Sequence, residues 1–437
     1  MIAKAPRGTV DLLGSQAEAW LRIQQVAIDV FSRYGYRLVK TPIFEQQQVF
    51  VRGIGQDTDV VGKEMFHVLS KNAFEKVTEG GELKADQKLS LRPEGTAGTI
   101  RCAIEHNLIP QGGPTVKLMY AGPMFRCERP QKGRLREFNQ IGIECLGAAD
   151  PSTDAEIIIM LLKFYEELGL PLKSTRLLLN SMGDDACRPA YRETIKQYIL
   201  DHSAELCEEC NHRAQTNPLR AFDCKNPECA KVMDGAPKIS DALCDDCRSH
   251  YDKVKAYLDG AGIEYIEDPR LVRGLDYYTR TVFELQVIDG LGSQNAIGGG
   301  GRYDKLMEVM GGPSTPGIGF ALGFERTLLA LEAAGVEFEL GSDTDVYIAC
   351  VDDDCKACGF KIMQSLRDAK IRADMDHQGR SLKSQFKQAG KMGASYVVVV
   401  GPDEMAAGEV TLRCMDTHEE ERCAIDEVAE QVASRMR

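Results

Sequence analysis

No apolar run in this 437-residue chain approaches the roughly 20 residues that a helix needs to cross a bilayer, so no membrane partner is expected. The first residues, MIAKAPRGTVDLLG, lack the hydrophobic core of a secretory signal, and a cytoplasmic location is the expectation. Positive charge is also short: 53 Lys and Arg stand against 66 Asp and Glu, a net charge of −13. Any nucleic-acid partner must therefore be argued from local basic patches. Cysteine is not scarce, with fifteen in the chain, but their odd number and clustering, without a signal, argue against a disulfide framework. A composition 43% hydrophobic and 27% charged is ordinary for a globular protein, and the length allows two or three domains with their own cores.

The stretch from Pro114 to Gly147 holds two strand-like halves around a basic loop. In the second half Phe138, Gln140, Gly142 and Glu144 fall on one face, and Asn139, Ile141, Ile143 and Cys145 on the other. The first half ends in Arg126-Cys127-Glu128-Arg129, which directs an arginine and a glutamate toward the polar face. Between the halves, Pro130 to Arg136 is too polar and basic to be core. A polar platform under a cationic flap suits an anionic ligand; an ordinary hairpin with a solvated face is the alternative.

Elsewhere the signals are plainer. Ser15 to Tyr34 reads as an amphipathic helix, apolar at Ala19, Ile23, Val26, Ala27, Val30 and Phe31, with Gly35 as its stop. Tyr36 to Glu45 reads as a short strand interrupted by Pro42, which suits an edge or an interface. Residues 71–88 are polar and predict a surface hairpin or loop. Leu89 to Ile100 passes from strand through a turn into a helix, where Glu94 and Thr96 could serve the helix-start amides. A helix is predicted from Ser152 to Leu168, then a buried strand at Leu177 to Asn180. Further on, Arg273 stands near Tyr277 and Tyr278, a set suited to gripping a carboxylate or phosphate beside a flat polar group. The glycine run Gly298 to Gly301 alone signals a turn. Gly317 to Arg326 reads as a strand followed by a helix with an arginine at its start.

From about Asp184 to Tyr257 the chain is rich in charge and cysteine: Cys207-x-x-Cys210, Cys224, Cys229 and Cys244-x-x-Cys247. A two-residue spacing lets a tight turn aim both sulfurs at one ion, so Cys207, Cys210, Cys244 and Cys247 are the candidate ligands of one structural zinc ion. Free thiols are the alternative. Glu332 to Thr344 reads as a linker, and the remainder as a small α/β domain with strands near 345–350 and 396–401. After Gly379 the spacing of Arg380, Lys383, Lys387 and Lys391 predicts one basic stripe on a helix, either a solvated face or a phosphate contact.

FRCERPQKGRLREFNQ resembles motif 2 of the class II aminoacyl-tRNA synthetases as the histidyl enzymes carry it. LRPEGTAG, LVRGLDYYTRTVFE and the segment from Ala296 to Asp304 resemble further signatures of those enzymes, while 15–45 resembles motif 1 and Gly317–Arg326 motif 3. The resemblance runs in order along nearly the whole chain. It implies an α+β class II catalytic domain over 1–330, an antiparallel sheet flanked by helices, with a helical insertion at 184–257 that touches the tRNA acceptor arm. A linker at 331–344 would lead to an α/β anticodon-binding domain at 345–437. It implies a homodimer that activates histidine with ATP and Mg²⁺ and transfers it to tRNA(His). Arg126 and Arg273 would hold the reacting carboxylate and α-phosphate. Glu94, Thr96, Gln140, Glu144, Tyr277 and Tyr278 would bind histidine, with Glu128, Phe138 and Arg326 joining Arg126 on ATP. Arg380, Lys383 and Lys387 would meet tRNA. Leu135 departs from the tyrosine common in the family's flap. The rivals are a synthetase-like regulatory subunit of ATP phosphoribosyltransferase and a class II enzyme for another amino acid.

Overall fold

The computed structural model describes residues 3–55, 58–109, 112–272, 277–336 and 344–436. The backbone divides into two compact units, Met1–Phe338 and Glu339–Arg437.

An eight-stranded sheet organises the first unit. From edge to edge its strands are Arg37–Leu38, Val116–Phe125, Glu137–Leu146, Gly317–Gly323, Ala296–Arg302, Thr279–Val287, Thr175–Ser181 and Ile266–Glu267. The six inner strands are antiparallel, and the two-residue edge strands pair parallel to their neighbours. Alternation decides what each face does. Ile141, Ile143 and Cys145 are fully buried in the main core, as are Ile318, Phe283 and Leu285 from the strands beside them.

That core is closed by helices Ser15–Arg33 and Pro151–Glu167. The first buries Ala19, Ile23, Val26, Ala27, Val30 and Phe31, the stripe its spacing predicts. Phe31 packs with ring centroids 5.7 Å from Phe164 and 5.6 Å from Phe320, joining both helices to the sheet. Each buried ring of this kind contributes about 1.5–3 kcal/mol. Asp150 caps the second helix by accepting the Ser152 N–H at 2.9 Å, with Pro151 at the first position.

Two local readings change. Residues 71–88 are not a hairpin: they form a helix, Lys71–Thr78, and a 3₁₀ turn, Ala85–Gln87. The Ser70 hydroxyl accepts the Ala73 N–H at 3.3 Å, an N-cap that overrides the polar composition. The strand expected over 36–45 is split around Pro42, and its second piece, Phe44–Gln46, joins a small three-stranded sheet with Leu89–Leu91 and His67–Val68.

Between Thr175–Ser181 and Ile266–Glu267 the chain is helical: Arg188–Asp201, Glu208–Thr216, Pro227–Asp234, Ile239–Ala242 and Asp245–Gly260. The last helix is fixed to the sheet by a buried ionic set. Arg302 binds Asp154, with Nε 3.2 Å from Oδ1, and His250 Nε2 lies 3.0 Å from the same oxygen. Asp154 and Arg302 are fully buried, so their charges are tolerated because each is paired.

The second unit has a five-stranded sheet ordered Ala373–Met375, Val346–Cys350, Tyr396–Val400, Glu409–Cys414 and Glu420–Ala424. Helices Lys356–Asp368, Leu382–Lys391 and Val428–Arg435 accompany it. Among the described residues no helix is long and apolar enough to cross a membrane.

Candidate active site

The large sheet turns its other face to a cavity. Directly paired residues share a face, so register writes its floor. Gly323 lies opposite Gln140, Ala321 opposite Gly142, and Gly319 opposite Glu144; on the next strand Gly299 and Gly301 lie opposite Ala321 and Gly319. Small residues keep the floor clear where polar side chains rise. At Gly319 a Cβ would sit 2.2 Å from both Glu144 Oε2 and the Ile143 carbonyl oxygen, so close approach here requires glycine.

Glu94, Thr96, Arg126, Glu128, Phe138, Gln140, Glu144, Tyr277, Tyr278 and Arg326 all line this one cavity. Arg273 lies outside the described residues.

At one end are the carboxyls. Glu144 is fully buried, accepts the Thr96 hydroxyl at 2.7 Å on Oε1 and accepts the Tyr303 hydroxyl on Oε2. Burial pushes its pKa up to about 8, against the hydrogen bonds from Tyr303 and Thr96, with the nearby Glu94 charge adding to the rise. Glu94 is also raised by burial, although its carboxylate caps the helix Thr96–Glu105, accepting the Thr96 and Ala97 N–H groups at 2.7 and 2.8 Å. Its helix-start role is thus present together with its place in the cavity. Gln140 Oε1 is buried and has no hydrogen-bond partner among the described residues. An unmet acceptor of this kind costs about 1–3 kcal/mol and is a ready partner for a ligand's N–H. Tyr277 stacks obliquely on Tyr278, centroids 4.6 Å apart, and edge-on to Tyr303 at 5.7 Å.

The other end is cationic. Arg126 donates from Nε to the Pro93 carbonyl at 3.0 Å and lies over the Phe138 ring, 5.4 Å from its centroid. Glu128 pairs with Arg134 of the flap at 2.8 Å. Arg326 reaches the flap through Gly133, Nε to carbonyl oxygen 3.1 Å, and holds Ala296 and Gln294 with its other nitrogens. Burial lowers its pKa, and the neighbouring cations Arg134 and Arg126 lower it further. Three guanidinium groups converging in a partly desolvated site form a seat for a polyanion.

Sequence reasoning gave no role to Tyr303, Glu284, Arg134 or Glu325, which also line the cavity. Tyr303 had a signal: it lies two residues after the glycine run, within the segment Ala296 to Asp304 that resembles a family signature. Glu325, one residue before Arg326, accepts the Asn139 N–H at 2.9 Å and fastens the helix start to the platform strand.

Two assignments are corrected. Cys207, Cys210, Cys244 and Cys247 do not form one set: Cys207 and Cys210 group with Cys224 and Cys229, whereas Cys244 and Cys247 group with Cys187 and Asp184. Each C-x-x-C pair opens a different helix, Glu208–Thr216 or Asp245–Gly260, and each meets its own neighbours. Arg380 is not on the basic helix, which starts at Leu382; its N–H and Nη1 both bind Asp376, at 2.7 and 3.1 Å. Lys383, Lys387 and Lys391 are on that helix and exposed.

A cavity on an antiparallel sheet, with arginines delivered by a hairpin and by a later strand-to-helix junction, defines the catalytic core of a class II aminoacyl-tRNA synthetase. Residues 8–327 match the family described as histidyl-tRNA synthetase, and residues 345–435 match the anticodon binding domain. The histidine–tRNA ligase of Desulforamulus reducens is 44% identical over 430 residues, 98% of either chain. That of Moorella thermoacetica is 45% identical over the same length and coverage. The crystal structure of apo histidyl-tRNA synthetase from S. aureus, 36% identical, aligns with a TM-score of 0.81 over 99% of this chain and 100% of that one. The chain belongs to the histidyl-tRNA synthetase family. Its activity is accordingly the two-step, ATP-driven ligation of histidine to tRNA(His).

Proposed function

We propose that the carboxyl end of the cavity binds histidine and the arginine end binds ATP. In the first step a histidine carboxylate oxygen attacks the α-phosphorus, pyrophosphate leaves, and histidyl adenylate forms. In the second, a ribose hydroxyl at the tRNA 3′ end attacks the histidyl carbonyl and AMP leaves. Neither step asks for a protein nucleophile, so positioning and charge neutralisation carry the rate. Arg126 and Arg273 hold the carboxylate and α-phosphate, Arg326 the γ-phosphate. Phe138 offers the ring face not covered by Arg126 to adenine, beside Glu128. Glu94, Thr96 and the unmet oxygen of Gln140 take the α-ammonium end of histidine, and Glu144 with Tyr277 and Tyr278 takes the imidazole. Glu284 and Glu325, carboxylates on the cavity wall, are hard oxygen donors of the kind Mg²⁺ accepts. The ion supplies charge neutralisation to the polyphosphate.

The single observation that carries this reading is that one cavity gathers all ten described residues that the family resemblance assigns to histidine and ATP. The reading extends to the whole molecule: a cytoplasmic homodimer joined through the segment around Pro42, a catalytic domain over 1–330, an acceptor-arm contact at 184–257, a linker at 331–344 and an anticodon reader over 345–437, with Lys383, Lys387 and the Asp376-bound Arg380 toward tRNA. ATP–pyrophosphate exchange assayed with each of the twenty amino acids should respond to histidine alone. Exchange should fall by on the order of a hundredfold in Arg273→Ala. Exchange driven by another amino acid, or none at all, refutes the reading, and normal exchange in the variant refutes the arginine's role.

A further inference from the structure

Seven cysteines and an aspartate of the helical insertion are arranged as two separate quartets. We propose that the insertion binds two structural zinc ions, one through Cys207, Cys210, Cys224 and Cys229, the other through Asp184, Cys187, Cys244 and Cys247. In each quartet the four ligand atoms lie within 4.8 Å of one another.

The spacing is that of a coordination tetrahedron. With Zn–S near 2.3 Å, a tetrahedral site sets its sulfurs about 3.8 Å apart. Cys207 and Cys224 sulfurs are 3.9 Å apart, far beyond the roughly 2.05 Å of a disulfide. A carboxylate oxygen binds about 0.2 Å closer to zinc, which shortens its distances to the sulfurs slightly. Asp184 Oδ1 lies 3.6 Å from the Cys187 sulfur and 3.8 Å from that of Cys244. Quartets this tight enclose a single ion each and leave no room for a multi-iron cluster, and zinc is the redox-inert ion that thiolate-rich tetrahedra take.

Surrounding groups fit the same purpose. The Cys207 N–H points at the Cys229 sulfur at 3.2 Å, and the Asp184 N–H at the Cys187 sulfur at 3.4 Å, bonds that favour thiolates. Arg280 Nη2 lies 3.4 Å from Asp184 Oδ2, while Oδ1, which accepts the Ala186 N–H at 3.0 Å, also faces the sulfurs. Cys207 and Cys244 cap the starts of their helices, with Cys210 and Cys247 in the first turns, where the helix dipole stabilises anionic sulfur. The need is also visible. The short helices of the insertion have nine, eight and four residues, lengths that do not hold in isolation, and metal ligation would add folding energy to that of the small apolar core they share. All eight ligands are protein atoms with no open position, so both ions are structural.

The test is elemental analysis of the full-length protein, produced with zinc in the medium and purified without chelator. Two equivalents of zinc per chain are expected; one or none overturns the proposal. Cys229→Ser and Cys247→Ser should each retain a single equivalent, and either variant keeping both ions overturns the ligand sets. Should the variants fail to fold, the wild-type protein still decides. The partly exposed thiols of Cys207, Cys224 and Cys244 should be alkylated at least tenfold faster after zinc is removed with a chelator. Unchanged alkylation, or loss of two mass units per cysteine pair under non-reducing conditions, overturns it.

Discussion

On the proposed assignment Glu144 meets the histidine imidazole, and its protonation gives that role a measurable signature. Its pKa of about 8 keeps it largely protonated at neutral pH. Free imidazole titrates near 6.5. Between roughly pH 6.5 and 8, neutral imidazole and protonated carboxyl together hold the one proton that their hydrogen bond shares. Below that window binding must release a proton, and above it binding must take one up. The specificity constant kcat/KM for histidine should therefore fall on both sides, by roughly tenfold per pH unit. In Glu144→Gln the group cannot ionise, so the alkaline fall near pH 8 should vanish while the plateau drops. Pyrophosphate exchange measured from pH 5.5 to 9 checks this, and an alkaline limb surviving in the variant contradicts it.

Among the elements, the strand Gly317–Gly323 shows how a position without a side chain performs a task. Gly319→Ala places a methyl group 2.2 Å from a backbone carbonyl oxygen that cannot retreat without breaking the ladder. Overpacking of this kind costs about 1–3 kcal/mol. The thermal midpoint should drop by several degrees and KM for histidine should rise as Glu144 is displaced. Gly323 on the same strand has open space around its Cβ position, so Gly323→Ala should leave the thermal midpoint nearly unchanged, and an equal drop in that midpoint at the two positions would sink the argument. Element by element, the sequence is legible where a local rule decides. Helix periodicity identifies the buried stripe of Ser15–Arg33, and strand alternation separates Ile141 and Ile143 from Gln140 and Glu144. It is illegible where distant segments choose partners. A C-x-x-C spacing says that two sulfurs turn together, but the meeting of Cys207 with Cys224, or of Cys244 with Asp184, depends on how five helices pack. Tyr303 is hidden for the same reason: its hydroxyl finds Glu144, 159 residues earlier, through tertiary structure alone.

For the molecule as a whole, two units with separate cores divide the labour. The exposed lysines of Leu382–Lys391 belong to the unit that matches anticodon-binding domains, and their reversal should be felt by tRNA and not by the adenylation chemistry. Lys383→Glu with Lys387→Glu should raise KM for tRNA in aminoacylation, flatten its dependence on salt, and leave pyrophosphate exchange intact. An unchanged KM for tRNA would place the anticodon contact elsewhere on that unit.

The bare floor of the cavity also bears on fidelity. Glycine and alanine beneath the ligand leave no wall that could refuse an amino acid smaller than histidine, so errors are not filtered by size. On the proposed assignment they are filtered by dissatisfaction: an intruder without an imidazole leaves the Glu144 carboxyl, held by Thr96 and Tyr303, without its ligand-side hydrogen bond, and one that sits askew leaves the Gln140 oxygen unmet. Sites that read by buried hydrogen bonds reject the wrong substrate by roughly four to five orders of magnitude. Selection of that order at the first step would make a second, hydrolytic selection unnecessary.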